Sequence, residues 1–141
     1  MHTVTVAHNF ETAHRLPHLP GKCQSLHGHS WWAEVTVSAP DTDESGVVVE
    51  FGEFKAALRE FIDLHLDHGV MLGLDDPLVD VLNDGHTKVH VMTDWPTVEN
   101  VAAMLAEIAG QLLSAIPRVS GATVTAVEVR ETHVNRAGWT P

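Results

Sequence analysis

The chain has 141 residues, 44% hydrophobic and 19% charged, the profile of one globular domain that buries roughly 70% of its unfolded surface. A net charge of −11 with only eight basic residues argues against nucleic acid and anionic membranes as partners, and no run of about 18 apolar residues is present to span a bilayer. A single cysteine leaves no internal disulfide framework and fits a reducing cytoplasm.

The N-terminal stretch His2-Thr3-Val4-Thr5 lacks the basic and apolar regions of a secretory leader, so export is not expected. Its even positions continue through Val6, His8, Phe10, Thr12 and His14 and alternate with mostly small or polar ones. This pattern predicts a strand over His2–His14, with His14 on the apolar face. Two prolines and a glycine make Leu16–Gly21 a loop. A second strand is expected over His27–Ala39, whose odd positions His27, His29, Trp31, Ala33, Val35 and Val37 share the face that becomes apolar. Pro40–Gly46 reads as an acidic turn, and Val47–Val49 resumes extended structure.

The period then changes. From Gly52 to Leu66 the residues Phe54, Ala57, Leu58, Phe61, Ile62 and His65 fall at helical spacing, with Lys55, Arg59, Glu60 and Asp63 facing water. Gly69 is expected to be the C-cap. Between Gly69 and Trp95 the pattern is weak. Turns are expected at Asp75-Asp76-Pro77 and Asp84-Gly85, with a short helical turn between them and a short strand at Val89–Val91. Thr97 is placed as the N-cap of a second long helix, whose apolar stripe runs from Val98 to Ile116 and stops at Pro117. Thr123–Glu131 is a third long strand and His133–Trp139 a fourth. This order indicates a single α+β domain over 1–141, an antiparallel four-stranded sheet with two helices on one face.

Eleven histidines are many for this length, and His27-Gly28-His29 concentrates two of them. In a strand, side chains at i and i+2 share a face, so both imidazoles project together, and neutral imidazole suits zinc. Gly28 between them permits close approach of backbone or substrate. His14 offers a third ligand. A three-histidine zinc site keeps one position open and is catalytic; with Cys23 as a fourth ligand it is closed and structural. Cys23 is thus either a ligand or a reactive thiol. Asp67-His68 at a helix end reads as a carboxylate orienting an imidazole, able to act as a base or to lower a thiol's pKa below about 8.5, or simply as a histidine placed against the helix dipole. Glu131, on a face with Val127 and Val129, needs a partner. That partner is either a ligand with adjacent N–H donors or a salt bridge to Arg130 or Arg15. Glu99 is most simply a carboxylate favourably placed in a first helical turn.

In order along the chain stand Phe10-Glu11-Thr12-Ala13-His14-Arg15-Leu16-Pro17, Cys23 through His29, Leu66-Asp67-His68, Pro96-Thr97-Val98-Glu99-Asn100 and Val129-Arg130-Glu131-Thr132. With these pieces in register over nearly its whole length, the chain resembles the 6-pyruvoyltetrahydropterin synthase/6-carboxytetrahydropterin synthase family of the tunnelling fold. The resemblance implies zinc (Zn2+) bound by His14, His27 and His29, Cys23 as catalytic proton acceptor, His68 with Asp67 behind it polarising the thiol, Glu131 anchoring the pterin ring, and Thr97 and Glu99 near the pterin. It also implies a trimer whose sheets close into a barrel, two trimers stacking as a homohexamer with sites between subunits. The N-terminal strand and Thr123–Glu131 are the strands expected to pair across subunits.

A cysteine three residues before His-Gly-His is similar to the bacterial 6-carboxytetrahydropterin synthases of the queuosine pathway. These convert 7,8-dihydroneopterin triphosphate to 6-carboxytetrahydropterin, releasing acetaldehyde and triphosphate. The pyruvoyl-forming branch, with a longer spacer, is the alternative reaction, and a non-catalytic zinc protein with Cys23 as fourth ligand is the alternative of another class. Two segments depart from the family pattern: the long connection from Gly69 to Trp95 and the tail His133–Trp139.

Overall fold

The computed structural model describes residues 1–141, and its organising unit is a long antiparallel pair. Strand β1 (His2–His14) runs against β2 (His27–Ala39) in unbroken register from His2 opposite Ala39 to His14 opposite His27. One face of this pair carries Val6, Phe10, Trp31, Ala33, Val35 and Val37, all buried, as the period-2 alternation requires. Burial of the valine and phenylalanine side chains contributes on the order of 1.5–3 kcal/mol each.

Helix α1 (Phe51–His65) and the later long helix α3 (Val98–Ser114) cover that face and pack against each other. Glu50 caps α1 by accepting from the Glu53 amide at 2.7 Å, and Thr97 caps α3 by accepting from Asn100 at 3.2 Å. Phe54, Leu58 and Ile62 of α1 meet the buried stripe Val101, Ala102, Leu105, Ala106, Ala109 and Leu113 of α3. Val47–Val49 forms only an isolated bridge, Val49 to Arg118.

The sheet departs from expectation in size and direction. It has six strands, in the order β4 (Val89–Met92), β3 (Gly69–Gly73), β1, β2, β5 (Thr123–Arg130) and β6 (Arg136–Trp139). Strands β5 and β6 extend it antiparallel beyond β2. On the other side β3 and β4 are parallel to β1 and to each other, joined through the short helix α2 (Leu78–Leu82). The sheet is therefore mixed, not wholly antiparallel. Strand β3 was missed because Val70, Met71 and Leu72 are each at most 3% exposed. A strand buried on both faces shows a short apolar run and no alternation. The short strands cover little of their neighbours: β3 pairs with β1 only over Thr12–His14 and β6 with β5 only over Val127–Arg130, which leaves residues 2–11 of β1 and 123–126 of β5 open on one side.

The end of α1 also differs. The helix caps at Leu66, and the left-handed residue is His68, at φ 59°, rather than Gly69.

Candidate active site

The cross-strand register builds the imidazole cluster. His14 and His27 are directly opposite, and His29, opposite Thr12, lies on the same face one step along. The ring centroids are 4.7 Å apart for His14 and His27, 5.2 Å for His14 and His29, and 4.8 Å for His27 and His29. One ring nitrogen from each lies within 4.8 Å of the others. Trp31, fully buried, closes the inner wall edge-on to His14 at 4.9 Å and His29 at 5.6 Å, its indole N–H donating to the Thr12 carbonyl at 2.9 Å.

Backbone carbonyls set two of the three tautomers. His14 Nδ1 is 2.8 Å from the Pro96 oxygen and His27 Nδ1 is 2.6 Å from the Ser25 oxygen. A carbonyl only accepts, so each Nδ1 carries the proton and each Nε2 presents a lone pair. Burial pushes the His14 imidazole down to about 4, opposed by the Pro96 bond and reinforced by His27 and His29. His29 is lowered by burial too, with Glu131 opposing and His27 adding.

Glu131, just past β5, places Oε1 3.2 Å from His14 Nε2 and 3.5 Å from His29 Nε2. These separations have the length of an ion pair, but a neutral His14 makes none, and both buried Nε2 atoms lack a hydrogen-bond partner. The Glu131 carboxylate and the His14 lone pair, both acceptors, face each other, with the unpartnered Nε2 of His29 beside them. Such a set is costly unless a cation lies among them, and the nitrogen donors suit a borderline metal ion. The residues fit a metal. The salt-bridge alternative for Glu131 does not occur, because Arg15 is bound to Asp76 and Arg130 to Glu128.

The thiol of Cys23 lies outside the imidazole group, in the half-exposed turn Lys22–Gln24. Asp67 and His68 are brought together, with Nδ1 2.8 Å from Oδ2. Asp67 is held below the usual carboxylate range: burial raises it, but the Glu11 amide and His68 outweigh that. The His68 side chain is 79% exposed, and no hydrogen bond joins it to Cys23 within one chain. Thr97 sits one residue from the carbonyl that orients His14, while Glu99 is exposed in the first turn of α3. Beside Glu131 and His29 opens a cavity of about 530 Å³ that also touches Trp32 and His133. A Cβ on Gly28 would lie 3.7 Å from the Thr12 oxygen, an ordinary contact, so no backbone approach within the chain demands that glycine.

Three contributors were not read from the sequence: the carbonyls of Pro96 and Ser25, and the Arg15–Asp76 pair beside His14. Carbonyl partners carry no side-chain signal, whereas a buried Asp76 in the weakly patterned stretch had only its arginine to announce it. His18 stacks on Trp95 at 4.6 Å.

Architecture and cluster together define a tunnelling-fold protein with a metal-competent histidine pocket. The fold matches an uncharacterised protein from Wolinella succinogenes (TM-score 0.82, 22% identity, 99% of this chain and 97% of that one). It also matches a 6-pyruvoyl tetrahydropterin synthase from Caenorhabditis elegans (TM-score 0.68, 24% identity, 99% and 94%). The profile of 6-pyruvoyl tetrahydropterin synthase matches residues 3–140, and the chain belongs to that family. Among its relatives, proteins named 6-carboxy-5,6,7,8-tetrahydropterin synthase are 36% identical in Rickettsia typhi (69% of this chain, 72% of the relative). Others of that name are 38% identical in Rickettsia bellii (68% and 71%) and 30% identical in Aquifex aeolicus (84% and 75%).

Proposed function

We propose that the protein converts 7,8-dihydroneopterin triphosphate to 6-carboxy-5,6,7,8-tetrahydropterin, consuming water and releasing acetaldehyde and triphosphate. We place this zinc-dependent lyase reaction in the cytoplasm, as a step of queuosine biosynthesis. The observation that carries the reading is that the buried, unpartnered Nε2 atoms of His14 and His29 face Glu131 in a chain of this family.

His14, His27 and His29 hold the metal, their tautomers set by Pro96 and Ser25 where these bonds exist. Zinc, when bound, supplies Lewis acidity that makes protons on the substrate side chain easier to remove. The Cys23 thiolate takes and returns those protons. Within one chain the dyad reaches no thiol, so His68 serves Cys23 of a neighbouring subunit, with Asp67 fixing its ring. That geometry requires an oligomer, and a homohexamer formed as a dimer of trimers, with the N-terminal strand and the Thr123–Glu131 strand pairing across subunits, supplies it while covering the open strands. Glu131 accepts adjacent N–H donors of the pterin, with Thr97 and Glu99 bordering the ring. Buried Trp31 excludes water from the inner side.

Incubating the zinc-loaded protein with dihydroneopterin triphosphate and weighing the pterin product tests this. A 6-carboxy product supports it. A 6-pyruvoyl product assigns the other branch, and no turnover with Cys23 bound to the metal returns the structural-zinc alternative, against which the thiol's position outside the cluster already argues.

A further inference from the structure

The turn carrying Asp67 and His68 is held from two sides. On one side it is stitched to β1: the His68 amide donates to the Glu11 carbonyl at 2.7 Å, and the Glu11 amide donates to Asp67 Oδ1 at 2.8 Å. On the other stands Lys88, one residue before β4. Its ammonium donates to the carbonyls of Asp63 and Asp67, each at 2.6 Å. These carbonyls lie at the C-terminal end of α1, where oxygens lack helical partners and the dipole is negative.

The lysine has a place made for it. A Cβ on Gly69 would lie 2.8 Å from the Lys88 carbonyl oxygen and 3.0 Å from two carbons of the lysine stem. Gly69 is therefore glycine for space, and the Val70 amide closes the contact by donating to the Lys88 carbonyl at 2.9 Å. Between these holds sits His68, at φ 59° the chain's one non-glycine residue in the left-handed region. Such a conformation persists only where neighbours enforce it.

We infer that Lys88 is a positioning residue for the Asp67–His68 dyad: by tying the Asp63 and Asp67 carbonyls it locks the left-handed turn and sets the direction in which the imidazole points. This rests on the reading that His68 serves Cys23 of a neighbouring subunit. The β3–β4 extension thereby takes part in the site without lining it.

The test compares Lys88→Met, which keeps the stem over Gly69 and removes the donors, with Lys88→Arg, which restores donors, in the assembled zinc-loaded protein. Exchange of the His68 amide should be about tenfold faster in Lys88→Met and near wild type in Lys88→Arg. Iodoacetamide labelling of Cys23 at pH 7 should slow by about fivefold in Lys88→Met, with no further loss when Lys88→Met is added to His68→Ala. Unchanged exchange in Lys88→Met overturns the inference, whatever the thiol does. Equal slowing of labelling in the His68→Ala background also overturns it, because the lysine then acts by another route. Faster exchange together with a thiol indifferent to His68→Ala upholds the lock and sinks the dyad reading instead.

Discussion

His14 Nδ1 lies 2.8 Å from the carbonyl oxygen of Pro96, so the residue just ahead of α3 fixes the tautomer of a histidine at the end of β1. These residues are 82 positions apart. The bond aims the Nε2 lone pair of His14 into the cluster, and the buried Nε2 of His29 joins it there without a partner.

His14→Ala, His27→Ala and His29→Ala should each lose stoichiometric zinc, because a three-ligand site cannot spare one. Cys23→Ala should retain it. Elemental analysis of the purified variants is decisive, and a Cys23→Ala protein without metal would turn the site into a closed, structural one.

The shared site makes an assembly prediction. The protein should sediment as a hexamer at micromolar concentration. Cys23→Ser and His68→Ala should each be inactive alone, yet co-expressed they should form hybrids with about a quarter of wild-type activity, since chance pairs an intact thiol with an intact neighbouring dyad at that frequency. A monomer, or hybrids without activity, would confine the chemistry to one chain.

Cys23 should react with iodoacetamide at neutral pH, and His68→Ala should slow it by about tenfold at pH 7 with a smaller difference at pH 9. Asp67→Asn should act in the same direction by less, because it orients and charges the ring without replacing it. Zinc adds its own positive charge near the thiol, so the comparison is made at equal metal content. Equal rates in wild type and His68→Ala would leave thiol activation to zinc.

Asp76 sets an acid limit. Its side chain is fully buried, Arg15 Nε donates to it at 2.8 Å, and the Leu78 amide donates to it at 2.8 Å. The Arg15 bond holds this carboxyl below the usual range although burial opposes it. A depressed carboxyl stabilises the fold above its unfolded pKa of about 3.9 and ceases to do so as pH falls through the lower folded value. Asp76→Asn should cost about 2 kcal/mol at pH 7, less than a fully buried pair because Arg15 is partly exposed. The gap in thermal midpoint from wild type should shrink as pH drops below about 3.9. An equal gap at both pH values would remove the ion pair as its cause.

The long amphipathic elements were legible in the sequence because their burial is one-sided. β1 and β2 keep the boundaries read from alternation, α3 keeps its stripe and its Thr97 cap, and the His-Gly-His pair with His14 forms one cluster because a period of 2 fixes which side chains share a face. Strand β4 was legible as the short strand expected at Val89–Val91, but β3 was not: Val70, Met71 and Leu72 are buried whichever way they point, and five residues are too few to show a period. The His68 turn was misplaced by one residue because glycine is the usual left-handed residue after a helix, whereas here space for Lys88 claims Gly69. Tertiary structure alone decided the tautomer of His14, the pairing of Arg15 with Asp76, and the approach of Glu131 to two imidazoles. Each depends on a backbone carbonyl or a partner far along the chain, and such partners are chosen by packing rather than by any local pattern of residue types.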